Sequence, residues 1–170
     1  MKPYCVIFLL LFTNYTWSQS TSFRDQLQRI TSDVPNHFRS LRGEIKKVTN
    51  QDTIFHSQLI IEGTQETEIS SPSYVVVDGD TVRSQGAFIA TIAADLTESE
   101  AKPMLNKWRK DVKWALSKEW KQKTYLEEWG IAGSAQGYTF SNGLAAVVVW
   151  RSIPSRSKDH NYVYITIASH

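Results

Sequence analysis

The sequence contains one cysteine, Cys5. Its rarity excludes a disulfide framework and a thiolate metal site built from cysteine pairs. Long hydrophobic runs are also missing, and no stretch approaches the ~20 apolar residues a membrane-spanning helix needs. Neither sign of charge dominates, since 19 basic and 17 acidic side chains leave +2. That balance does not point to nucleic acid. The four histidines, His37, His56, His160 and His170, form no H-x-x-x-H pair, and C-x-x-C is absent; no metal signature results. A G-x-S-x-G nucleophile elbow is absent too. "GIAGSAQG", with Ser134 among glycines, lacks the G-K-[ST] ending of a phosphate loop and reads as a flexible connector. The carboxylates Glu62, Glu66, Glu68, Glu127 and Glu128 could in principle supply a glycosidase pair, but their placement near element ends reads as solvated charge. No catalytic residue, metal or cofactor is expected.

What is present begins at the N-terminus. Lys2 precedes the apolar run "VIFLLLF", followed by small residues at Thr16 and Ser18. This is the pattern of a secretory signal cleaved after Ser18. Residues 1–18 are therefore expected to be a signal peptide and residues 19–170 one exported domain, periplasmic or secreted. The mature chain would carry no cysteine and no transmembrane segment. About 150 residues can bury a sufficient core without disulfides.

Phe23, Leu27, Ile30 and Val34 repeat at helical spacing up to Pro35, which ends or bends the segment. Ser22 with Asp25 suggests its start. "GEIKKV" and "IFHSQLII" predict a hairpin across "NQD", "SYVVVDGDTVR" a second across Asp78-Gly79, and "GAFIATIAA" a further strand. Thr97 and Glu100 form a capping box ahead of a long helix. "YLEEWGIAGS" is expected to be a connector stopped by Gly130. "YTFSNGLAAVVVW" is a hairpin turning at Asn142-Gly143, and "YVYITIA" a last strand. Hairpins dominate and nothing supplies parallel crossovers. The predicted fold is α+β: a two-layer sandwich in which an N-terminal helix and one long helix pack on one face of an antiparallel sheet.

The densest basic stretch, "KPMLNKWRKDVKWALSKEWKQK", carries three tryptophans. On a helical wheel, Met104, Leu105, Trp108, Val112, Ala115, Leu116 and Trp120 make one apolar stripe. Trp108 and Trp120 are thus expected in the core. Trp114 falls on the opposite side, among Lys107, Lys110, Lys118 and Lys121. Two accounts compete. Trp114 can rest over lysine stems on a solvated face, or be covered by another element. Alternatively it is an anchor in a basic strip that binds an anionic envelope polymer, a lipid headgroup surface or an acidic protein. Nucleic acid would fit chemically, but export argues against it.

"PNHFRSLRGEI", followed by "LIIEG" and "ATIAADLTESEA", resembles small exported proteins of Bacteroidota-type bacteria. In these a helix runs into an Asn-x-Phe-x-x-Ile/Leu-x-Gly-Glu segment ahead of the strands. The longer Asp-Gly hairpin and the polar loop at 154–161 depart from that pattern. The resemblance spans nearly all of the mature chain and implies an α+β architecture, with no activity or site residues to carry over. The architecture is also similar to the α+β secretion-chaperone type. The leading expectation is a non-enzymatic exported binding domain for a protein or envelope component. The competing one is a small periplasmic hydrolase whose site comes from residues distant in sequence.

Overall fold

The computed structural model describes residues 15–49, 52–77, 80–84, 86–128, 133–154 and 160–169. Helix α1 (Tyr15–Ser32) leads into short 3-10 turns at Val34–Asn36 and Arg39–Leu41. Strands β1 (Arg42–Val48), β2 (Thr53–Ser57), β3 (Glu66–Ser70), β4 (Ser73–Val77), β5 (Asp80–Ser84) and β6 (Ala87–Leu96) follow. Helix α2 (Glu98–Ala115) then precedes β7 (Lys121–Glu128), β8 (Gly133–Ser141), β9 (Ala145–Pro154) and β10 (Asn161–Ser169). Eight strands form one antiparallel sheet in the order β1-β2-β3-β6-β10-β9-β8-β7, while β4 and β5 pair only as a two-stranded sheet. Among the described residues the fold is α+β, with an antiparallel sheet and two α-helices. No helix among the described residues is long and apolar enough to cross a membrane.

The core joins both helices to the sheet. Phe23, Leu27 and Ile30 from α1 and Leu105, Trp108 and Val112 from α2 lie in one cluster with Phe88, Val147, Val149, Ile165 and Ile167. Along β9 and β10 burial alternates between buried and half-buried positions, the period-2 signature of a strand that buries one face more deeply. The α1 periodicity is therefore real, although Ser22 lies inside the helix and is not its cap.

Between α1 and β1 the chain reverses through a small polar knot. His37 and Phe38 are both left-handed, at φ 53° and 59°, a conformation that is costly for side chains with a Cβ. Buried Asp33 holds them there. Its carboxylate accepts from the Ser40 hydroxyl at 2.8 Å, the Ser40 backbone N–H at 3.2 Å and the Asn36 amide at 3.2 Å. Arg42 donates to the His37 carbonyl at 3.0 Å. This arrangement lets Phe38 reach the core, where it is 1% exposed.

Three expectations about element boundaries are corrected. Helix α2 stops at Ala115, because Leu116 is extended at φ −81°, ψ 151°. Trp120 is therefore not helical. It follows a tight turn closed by its N–H to the Ser117 carbonyl, at 3.2 Å, and still packs partly against the core. Residues 121–128, expected as helix end and connector, are strand β7, eight consecutive residues paired with β8. Glu66 and Glu68, read with Glu62 as solvated charge near a strand end, lie within strand β3, between β2 and β6. The Asp78-Gly79 turn, Gly130 and His170 lie outside the described residues. The last of the expected hairpin turns falls where expected but is shifted by one residue: Gly143 and Leu144 occupy the two loop positions, and the Asn142 N–H donates to the Ala145 carbonyl at 3.3 Å. Gly143 takes φ 88°, and Asn142 Oδ1 accepts from the N–H groups of Leu144 and Ala145 at 3.0 and 2.9 Å.

Candidate functional site

Helix α2 is set by its first turn. The Glu100 carboxylate accepts from the Thr97 backbone N–H at 2.9 Å and from its hydroxyl at 2.7 Å. These hydrogen bonds hold the Glu100 carboxyl below its ordinary value. Capping satisfies donors that the helix cannot. It also fixes where the two tryptophans of α2 lie.

Trp108 points inward and is 7% exposed. Its ring meets Phe23 edge-on, with centroids 5.5 Å apart at 81°. Gly63 backs against it so closely that an added Cβ would sit 3.4 Å from the indole. Trp114 points outward and is 49% exposed. Its indole is not bare. The Arg24 guanidinium lies 4.1 Å from the ring centroid and donates to the Trp114 carbonyl at 2.9 Å. Helix α1 thus contributes a cation that sequence spacing could not reveal.

Of the four lysines grouped with Trp114, only Lys107 and Lys110 share its helix. Lys118 falls in the turn after α2, and Lys121 opens β7. All four are exposed, but the single helical strip expected from the wheel does not exist, because the helix ends before two of its members. Lys107 inclines toward the inner tryptophan, its Nζ 5.8 Å from the Trp108 ring centroid.

Trp114 also borders an open cleft of about 910 Å³, whose apolar wall includes Phe23, Met104 and Trp108. Glu62, Glu100, Asp111 and Lys107 line it as well. Its volume is that of sites which bind small ligands or anchor a partner's side chains. A smaller depression of about 380 Å³ is bordered by Arg24, Gln28, Leu116 and Trp120.

Other polar groups make contacts the sequence did not suggest. Glu66 and Glu68 grip the Lys46 ammonium at 2.6 and 2.8 Å, and the hydrogen bond to Glu66, with that to Glu68, raises the lysine's pKa. His160 Nδ1 lies 3.0 Å from Asp95, which also accepts from the Tyr162 hydroxyl at 3.3 Å. The Asp95 charge raises the Tyr162 phenol. Both His160 and Asp95 are well exposed. No group of three or more His, Cys, Asp or Glu placed to hold a metal ion occurs among the described residues.

Comparison with protein-family models, with curated proteins and with solved structures yields no match in any of the three.

Proposed function

We propose that this protein is an exported, non-enzymatic binding domain that meets an anionic partner, a protein or an envelope component, through the surface around Trp114. In this reading residues 1–18 are removed as a signal peptide, and the helices form the second layer of a two-layer sandwich. The observation that carries it is the half-exposed Trp114 indole, fixed by Arg24 at the wall of an open cleft. An aromatic side chain held in place before contact loses little conformational freedom on binding, which is the character of an interface anchor. Lys107 and Lys110 supply positive charge from the same helix, and Lys118 and Lys121 from the turn and strand that follow it. Glu100 is engaged in its helix cap, which withdraws one cleft carboxylate from acid–base chemistry.

A pull-down from envelope fractions tests the reading. Wild-type protein should retain a partner that Trp114→Ala loses, and Lys110→Gln with Lys118→Gln should weaken capture most at low salt, where exposed charge is least screened. Equal capture by all three proteins rejects Trp114 and its lysines as the contact surface.

A further inference from the structure

The two edges of the sheet differ. At one end, β1 pairs with β2 through two register irregularities, and Lys46 is drawn into the Glu66–Glu68 pair. Register irregularities are a device that blunts an edge against pairing with another chain. At the other end, β7 pairs with β8 through eight consecutive residues without a shift. Among the described residues its outer backbone edge faces no further strand of the sheet. Seven of its eight residues are exposed, including Leu126 at 65%. An exposed, regular edge strand is a template for strand addition.

The sequence of β7, "KQKTYLEE", is basic at its start and acidic at its end. We propose that β7 is a dimerisation edge that pairs antiparallel with β7 of a second copy, about a two-fold axis at Tyr125. An axis perpendicular to the sheet keeps each residue on its own face. Facing side chains share a face only in registers where some residue meets its own counterpart, as in closed two-fold interfaces. Centring on Tyr125 opposes Lys123 of one copy to Glu127 of the other, twice by symmetry. Both residues lie on the face that carries Tyr125, whose hydroxyl already donates to Glu127. The other face opposes Thr124 to Leu126 and covers part of that exposed leucine. Opposite charges directly across an antiparallel pair stabilise it, and like charges destabilise it. The joined sheet would run continuously through sixteen strands, twice the eight of one copy.

Sedimentation velocity of the purified protein over a concentration series tests this. Wild type should show a monomer–dimer equilibrium that weakens as salt rises. Lys123→Glu alone and Glu127→Lys alone each replace two attractive pairs by two repulsive ones. Each should raise the dissociation constant by roughly tenfold or more. Both positions are exposed, so the monomer fold should persist by circular dichroism. The double variant Lys123→Glu/Glu127→Lys restores opposite charges across the axis and should restore dimerisation. A wild type that stays monomeric at every concentration overturns the proposal. So does a dimer indifferent to the single reversals, or a double variant that fails to recover.

Discussion

Trp108 and Trp114 occupy the same helix and differ in almost everything that determines what a tryptophan does. Trp108 has Phe23 against one side of its ring and Gly63 close behind it. Trp114 has half its surface in water and one cation above it. Burial of a whole indole is worth several kcal/mol, whereas an exposed cation–π contact is worth about 0.5–1 kcal/mol. The difference shows that residue type says little on its own. Helical phase decides which tryptophan holds the fold together and leaves the other half-exposed.

The strongest way to break the comparison is Trp108→Ala. It should destabilise the protein by about 3–5 kcal/mol in denaturant unfolding, as for other buried aromatics. A loss below about 1 kcal/mol would mean that Trp108 does not carry the helix–sheet packing. Gly63→Ala sharpens the same side. Gly63 sits at φ 85°, where a Cβ is strained, and the new methyl would meet the indole at 3.4 Å. A cost of about 1–2 kcal/mol is expected. A neutral result would show that the Gly63 loop yields readily around the indole.

Acid should act more weakly, and from the capped end of α2. The Lys102 hydrogen bond lowers the Glu98 carboxyl, and the Thr97 hydrogen bonds lower that of Glu100. Groups with depressed folded pKa values contribute stability that is present above the ordinary glutamate pKa of about 4.3 and disappears as pH falls through the folded values. Stability measured by urea unfolding should therefore decline below about pH 4.5. Thr97→Val, which removes the hydroxyl donor to Glu100, should flatten part of that decline. An unchanged pH profile would disconnect the cap from acid stability.

What the sequence revealed about this site follows from the range of each interaction. The capping box, the inward phase of Trp108 and the outward phase of Trp114 are local properties and were legible. The end of α2 was not. Leu116 and Trp120 continue the helical stripe in spacing, yet the turn after Ala115 places Trp120 against the core by another route. Thr124 and Tyr125 favour a strand, and pairing with β8 decides that competition. Strand β3 was obscured because Glu66 and Glu68 looked like solvent charge, while Thr67 and Ile69, on the other face, are buried. The contact between Arg24 and Trp114 joins residues 90 positions apart, and no spacing rule reaches that far. The same holds for the clasp of Lys46 by Glu66 and Glu68.

The smallest effect tests the outer side of the comparison. Trp114→Ala removes a half-exposed ring and its contact with Arg24, so the stability loss should be about 0.5–1 kcal/mol. Arg24→Ala should cost a similar amount. Because the two side chains share one interaction, the double variant should cost less than the sum of the singles. The cycle should return a coupling energy of about 0.5–1 kcal/mol. Near-zero coupling would mean that the guanidinium passes over the indole without holding it, and the preset anchor would lose its physical basis. A Trp114→Ala loss as large as that of Trp108→Ala would show that the outer tryptophan is structural. The small stability cost, together with lost partner capture, is the combination that separates an anchor from a solvated aromatic. A structural residue fails the first measurement, and a merely exposed one fails the second.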